Sequence, residues 1–154
     1  MTEGSQKHVE SCRALVGAAT VATLSTLTTD GFPYGSLVAF ASDARGRPLL
    51  LLSRLAEHTE NLKTRSEASL LVCENAVAGT DPLALGRVTI LGACARVPDD
   101  EKADARAIFL ARQPSAATYV DFADFAFYRL EPRALRYVGG FGRMSWVNAD
   151  EYRS

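Results

Sequence analysis

Short apolar runs separated by turn residues constrain the fold of this chain more than any other feature. Three runs lie within residues 21–53: VATLSTL, YGSLVAFASD and LLLLS. The segments between them contain Asp30-Gly31 and Pro33, and then DARGRP, which are residues that favour turns. Connections this short join neighbouring antiparallel strands, because parallel strands need a long crossover. Residues 21–53 therefore predict a three-stranded antiparallel meander.

Three segments predict helices around these strands. Apolar residues recur at three- and four-residue intervals in residues 6–18, as in an amphipathic helix. Residues 56–65 contain no Gly or Pro and predict a short helix after the third strand. The clearest helix is PDDEKADARAIFLARQP, in which acidic residues follow Pro98 and Arg112 precedes Pro114, as the helix dipole favours.

The remaining apolar runs extend the sheet. ASLLVCE predicts a fourth strand, and GRVTILGACARVP predicts a long strand in which Gly92 indicates a bulge or bend. DFAFYRLEP and ALRYVGGFG predict two further strands. The chain is thus expected to be an α+β protein built around an antiparallel barrel. We expect one domain, with an N-terminal helix in residues 1–18, the barrel in residues 19–142 and a C-terminal tail in residues 143–154.

Composition excludes several classes of function. The formal charge is −1 and the basic residues are scattered, so nucleic acid is not an expected partner. No apolar run approaches the roughly 20 residues of a membrane helix, and the N-terminus does not read as a secretion signal, so we expect a cytoplasmic protein. The three cysteines are widely spaced in apolar company and predict buried thiols rather than disulfides or a metal site.

Polar residues cluster where the third strand runs into the second helix. Ser53 and Arg54 end the strand, and His58, Thr59 and Asn61 follow on the helix. A strand end before a helix start brings hydroxyls, free backbone N–H groups and a positive dipole together, which favours an anion. Arg54 would add a forked, charge-assisted contact. The alternative is structural: Ser53 caps the helix, Arg54 is solvated and His58 packs on the surface.

Three segments together resemble the FMN-binding split-barrel superfamily of pyridoxamine 5'-phosphate oxidase-like proteins. They are DGFPYGSLVAF, SRLAEHTENL and YVGGFG. The similarity runs over about residues 19–142, and it is closest to the branch of HugZ-type haem-degrading proteins and CREG-like barrels, without the C-terminal domain of that branch. The resemblance implies a split β-barrel of six or seven antiparallel strands with two or three flanking helices. It also implies a homodimer with cofactor sites at the subunit interface.

The resemblance assigns residues to an FMN phosphate site. The strand position after the DG-x-P turn, which is commonly arginine, corresponds to Ser36. The strand-end hydroxyl corresponds to Ser53 with Arg54 beside it, and the helix position that is commonly lysine corresponds to His58. Two of the usual cationic phosphate ligands are thus replaced by a serine and a histidine.

Two residues outside the junction are further candidates for the cofactor site. Arg87 would add a positive charge at the rim, or it would form an interfacial salt bridge. Trp146 would stack on a planar cofactor, or it would pack in the core or in a dimer interface.

Three functions are compatible with these residues. The first is an FMN-dependent oxidoreductase, in which the flavin carries out the redox chemistry and the protein positions it. The second is haem binding and degradation, as in HugZ-like proteins. The third is a CREG-like dimeric interaction module without a cofactor. The resemblance predicts a homodimer, which the aromatic residues Phe122, Phe125, Phe127 and Tyr128 support weakly.

Overall fold

A computed structural model describes residues 3–154 as an α+β barrel, which confirms the predicted fold class. The helices are α1 (Glu3–Ala18), α2 (Glu57–Thr64), α3 (Lys102–Arg112) and α4 (Ala149–Arg153). The strands are β1 (Val21–Leu27), β2 (Pro33–Ser42), β3 (Pro48–Ser53), β4 (Glu67–Cys73), β5 (Arg87–Arg96), β6 (Phe125–Val138) and β7 (Met144–Asn148). Three short 3-10 helices lie in the connections of the described chain.

The strands form one antiparallel sheet that closes on itself. Their order is β3-β2-β1-β4-β5-β6-β7, and an additional pairing joins β3 to β6. Residues 49–53 of β3 pair with residues 125–129, the first part of β6, and this pairing closes six strands into a barrel. Residues 134–138, the last part of β6, pair instead with β7. The closed barrel leaves few strand edges exposed, and β7 is an extension beside it.

The prediction of two separate final strands is wrong, because β6 is one strand of 14 residues. Pro132 lies within it and cannot donate a hydrogen bond to the ladder. The strand nevertheless continues, because Pro132 pairs with Gly92 where the register between β5 and β6 shifts. The irregularity predicted at Gly92 is therefore present, but the extra, unpaired residue is Arg133 of β6, opposite Gly92, and this bulge accommodates the proline.

Two hydrophobic clusters build the interior. The larger one fills the barrel, and α1 contributes Val9, Cys12 and Val16 to it. Because β1 begins just after α1, this helix packs at one end of the barrel. At the other end, Leu62 of α2 enters the same cluster. The smaller cluster joins α3, through Phe109, to the outside of β2, β3 and β6.

The exposure of the cysteines differs in part from the prediction. Cys12 and Cys94 are buried, and burial raises the pKa of each thiol to about 12. Cys73 is exposed, because it lies at an outward-facing position at the end of β4.

The aromatic residues near β6 pack within the chain: the Phe127 ring contacts Phe109, and the Phe125 ring contacts Tyr119.

Residues 143–154, expected as a tail, form β7 and α4 and pack on the barrel. Tyr152 of α4 is fully buried in the larger cluster, and its hydroxyl donates to the Gly46 carbonyl oxygen at 2.5 Å. Arg13 of α1 donates to the Tyr152 carbonyl oxygen at 2.7 Å. A buried tyrosine with a satisfied hydroxyl thus anchors this segment to the β2–β3 turn and to α1.

Within residues 3–154, no helix combines the length and apolarity needed to cross a membrane.

Replacing Gly92 by alanine is expected to destabilise the barrel at the bulge. A Cβ at this position would lie 2.0 Å from the Glu131 carbonyl oxygen, so the backbone of β6 must move. We expect Gly92→Ala to lower the free energy of unfolding by about 2 kcal/mol or more in chemical denaturation. Gly17→Ala is the control, because nothing lies within 4 Å of that site in α1, and it should be neutral or stabilising. Equal stability of both variants would contradict a tight bulge.

Candidate functional site

The polar groups at the β3–α2 junction form hydrogen bonds within the protein. The Ser53 hydroxyl donates to Asp124 Oδ2 at 3.1 Å and accepts from the Leu55 N–H at 3.2 Å. The buried Thr59 hydroxyl donates to the Ser53 carbonyl oxygen at 2.6 Å. Ser53 therefore stabilises the turn and does not cap α2, whose N-cap is Ala56 without a side-chain hydrogen bond. The capping alternative is wrong in this respect.

Asn61 has a structural contact inside the barrel. Its side-chain amide donates to the Thr26 hydroxyl at 3.0 Å, and both residues are buried. Two buried polar side chains that satisfy one another hold α2 against β1. The structure thus places Thr59 and Asn61 as supports of the junction, and their contact with a cofactor remains a prediction.

Ser36 and His58 meet at the α2 end of the barrel, as the resemblance implied for positions of one site. The Ser36 Oγ lies 3.1 Å from His58 Nδ1, and it lies 3.4 Å from the Leu24 carbonyl oxygen. With the hydroxyl hydrogen on that carbonyl, Nδ1–H of His58 donates and Nε2 carries the lone pair. Burial lowers the pKa of His58, so the neutral imidazole is favoured.

Carboxylates surround the junction and weaken it as an anion site. Asp124 accepts from Ser53, and Glu57 and Glu60 occupy the first turn of α2, where they offset the helix dipole. Lys63 is paired with Glu60 at 2.9 Å. Arg54 is exposed, and its guanidinium has no partner among the described residues. With the Glu60–Lys63 pair set aside, one cation remains beside the carboxylates of Asp124 and Glu57, which does not favour a phosphate dianion.

The structure does not bring Arg87 and Trp146 to the junction. Arg87 pairs with Cys73 and Val138 in the sheet, and its guanidinium donates to the carbonyl oxygens of Leu83 and Leu85. These contacts hold the loop before β5. Trp146 lies on β7, and it is 61% exposed rather than part of a core.

Exposed apolar side chains alternate with threonine and arginine side chains on the outside of the barrel, and we call this surface the outer face. Its members share outward-facing positions on β1, β2, β4, β5 and β7 and are exposed: Val21, Leu37, Leu71, Leu91, Met144 and Trp146. The Arg136 guanidinium lies over the Trp146 ring, 5.5 Å from its centroid. A groove of about 970 Å³ borders this surface and shares Leu91 with it. Apolar patches of this kind mark interaction sites.

Three partners of the candidate residues were missed by the sequence analysis. Asp124 contacts Ser53 across 71 positions of the chain, and Thr26 contacts Asn61 across 35. Arg136 contacts Trp146 through the β6–β7 pairing. No local pattern signals the first two contacts, because barrel closure and helix docking create them.

Removing the Asn61 side chain should destabilise the protein without affecting a cofactor. Asn61→Ala leaves the Thr26 hydroxyl buried without its partner, which costs about 1–3 kcal/mol. Chemical denaturation measures this loss, with the exposed Asn75→Ala as the matched control. A fully stable Asn61→Ala variant that binds cofactor more weakly would instead place Asn61 in a ligand site.

The lowered pKa of His58 predicts a pH-dependent contribution to stability. The folded state disfavours the imidazolium, so this contribution is complete above the unfolded pKa of about 6.5 and is lost as pH falls below it. As the pH falls from about 8 to about 5, we expect the wild type to lose unfolding free energy relative to His58→Gln. A pH-independent difference would contradict burial of the imidazole.

Comparisons with known proteins agree on the fold and on the CREG-like branch of the split-barrel superfamily. A family model described as CREG, beta-barrel, matches residues 3–154. The chloroplastic heme oxygenase HOZ of Arabidopsis thaliana is 39% identical over 134 residues, which is 86% of this chain and 40% of that protein. A heme binding protein from Mycobacterium smegmatis is 35% identical with a TM-score of 0.88, covering 99% of this chain and 61% of the other.

A more distant structure shows the fold alone. A protein related to general stress protein 26, of the pyridoxinephosphate oxidase family, from Clostridium acetobutylicum has a TM-score of 0.72 at 14% identity, over 96% of this chain and 98% of the other. This chain thus spans less than two-thirds of the HOZ and Mycobacterium proteins and nearly all of the Clostridium chain. The names of the Arabidopsis and Mycobacterium proteins refer to heme rather than to FMN. The chain belongs to the CREG beta-barrel family of split-barrel proteins.

Proposed function

We propose that this protein binds haem as a homodimer. The observation that carries the proposal is the 35% identity to a heme binding protein across 99% of this chain, so that the whole barrel is shared. The 39% identity to a heme oxygenase over 86% of the chain supports the same ligand. Function does not follow from fold alone, so the residues of the site must also fit.

The Ser36–His58 pair fits haem iron better than it fits an FMN phosphate. FMN carries a phosphate dianion, and the junction that would hold it contains Asp124, Glu57 and Glu60. Haem has a large apolar surface, and its iron is commonly bound by a neutral imidazole. The Ser36–His58 pair supplies an imidazole that burial keeps neutral. The departures from the usual FMN ligands at these two positions are therefore consistent with haem.

His58 is our candidate iron ligand. Its Nδ1 is held by Ser36, which fixes the ring and leaves Nε2 for a metal, as a hydrogen-bonded second nitrogen does in many metal sites. The preceding turn offers Leu55, which is 80% exposed, and the exposed Arg54. These residues would supply an apolar contact and a cation for the haem carboxylates. When bound, haem supplies the oxygen and electron-transfer chemistry, while the protein residues hold and orient it.

The outer face supports the homodimer. It combines exposed leucine, valine, methionine and tryptophan side chains with a groove lined by small residues such as Ser25, Ser69 and Ala134. A two-fold dimer places the same patch of both subunits in contact, so one apolar surface is enough to bury both. We therefore propose a second copy of the chain as the occupant of this face.

Introducing a charge on the outer face should dissociate the dimer. Leu37 is 76% exposed on β2, and Leu37→Glu would bury a carboxylate in the proposed interface. Sedimentation at micromolar concentration should show a dimer for the wild type and the 16.6 kDa monomer for this variant. Leu83→Glu, in the loop before β5, is the matched control and should stay dimeric. A wild-type monomer would contradict the proposed interface.

Haemin should bind stoichiometrically and give a Soret band. We expect His58→Ala to shift this band and to weaken haemin binding by about tenfold or more, since it removes the iron ligand. His8→Ala is the control, because His8 is the only other histidine in the sequence and lies on α1. An unchanged band in His58→Ala would exclude His58 as the ligand. Absence of any haemin binding would contradict the function itself.

Two further titrations separate the remaining hypotheses. Binding of FMN in place of haemin would favour the flavin oxidoreductase, and binding of neither would favour the cofactor-free interaction module. For the haemin complex, loss of the Soret band in air with ascorbate measures degradation, the activity in the name of the Arabidopsis relative. A stable band under these conditions would limit the protein to haem binding.

A further inference from the structure

A second cavity lies between α1 and the turn that joins β6 to β7. It has a volume of about 500 Å³, within the usual range for small-molecule sites. It opens on the opposite side of the β6–β7 ribbon from the outer face. Arg136 and Trp146 point outward, whereas their neighbours Tyr137 and Ser145, which pair with each other, point toward α1. The cavity is therefore separate from the proposed dimer interface.

Tyr137 lines this cavity and has a hydroxyl that is free to donate. The residue is only 9% exposed and lines the cavity, and its hydroxyl has no hydrogen-bond partner among residues 3–154. The hydroxyl lies close to Gly139, where a Cβ would be only 2.6 Å from it. Among the described residues the buried polar atom without a partner is Arg129 Nε and not this hydroxyl, so the Tyr137 hydroxyl is accessible and free to donate to a ligand or water.

Further donors line the same cavity. His8 packs against the Tyr137 ring, with ring centroids 5.0 Å apart, and its Nδ1 lies 2.6 Å from the Ser145 hydroxyl. That contact fixes the imidazole and leaves Nε2 beside the cavity. Arg143 uses one guanidinium nitrogen to donate to the Gly139 carbonyl oxygen at 2.7 Å, and its other donors remain available.

The charge of the lining favours an anion. Lys7 and Arg143 contribute two positive charges, and Glu10 contributes one negative charge. Neither cation forms a salt bridge within the described part of the chain. A guanidinium fork beside an ammonium and a phenolic hydroxyl matches the many acceptor oxygens of a phosphate group.

We propose that this cavity binds a small organic phosphate. Arg143, Lys7 and the Tyr137 hydroxyl hold the phosphate oxygens, and the remaining volume receives the organic group. The site is independent of the proposed haem function, because it lies on the opposite side of the ribbon from the outer face and does not include His58.

Isothermal titration calorimetry of the full chain tests the proposal, with phenyl phosphate and inorganic phosphate as probes at constant ionic strength. We expect saturable binding at one site per chain. Arg143→Gln should weaken it by about tenfold, and Tyr137→Phe, which removes only the hydroxyl, should weaken it by about threefold or more. Arg45→Gln removes an exposed arginine in the β2–β3 turn and should leave the affinity unchanged.

Three outcomes would overturn the proposal. The first is the absence of saturable binding of either probe. The second is an equal loss of affinity in Arg45→Gln and Arg143→Gln, which would indicate general surface electrostatics. The third is benzoate binding as tightly as phenyl phosphate, which would exclude selection of a phosphate. Haemin titration of the phosphate-saturated protein should match that of the free protein, so failure of this site leaves the haem proposal testable by itself.

Discussion

Pairing of β3 with β6 is the interaction on which the rest of the structure depends. It joins residues 49–53 to residues 125–129 and turns an open sheet into a barrel. Closure gives each strand an inside and an outside, so the alternation of side chains separates a dry interior from a surface. It also brings Asp124, at the start of β6, beside Ser53 at the end of β3. The polar junction therefore takes its final form only when the barrel closes.

Satisfaction of buried polar groups decides which candidate residues remain available to a ligand. Thr59 donates a hydrogen bond to β3, and Asn61 donates one to β1. Turning either side chain toward a ligand would break a buried hydrogen bond and would therefore cost stability. His58 uses only Nδ1 in a hydrogen bond, with Ser36. Its burial disfavours the charged ring, which opposes a role in holding phosphate and suits a role as a neutral ligand. Desolvation thus separates supporting residues from residues that can still bind.

Local patterns predicted most of the fold. The meander, the short helix at residues 56–65, the acidic start of α3 and the bulge at Gly92 all have signals within a few residues. The continuity of β6 has none, because Pro132 normally ends a strand and is tolerated here only through its pairing with Gly92. The end of the chain was missed for a similar reason. β7 and α4 have five residues each, and burial of Tyr152 rather than local propensity stabilises them.

The contact between Arg13 and Tyr152 has a topological consequence. It places α1 and α4, which are the first and last helices along the chain, side by side. The same guanidinium lies over the Tyr152 ring, 5.5 Å from its centroid. Two helices whose contacting residues are 139 positions apart thus form one unit at this end of the barrel. Local opening of either helix removes packing from the other, so we expect the two to open together although they are far apart along the chain.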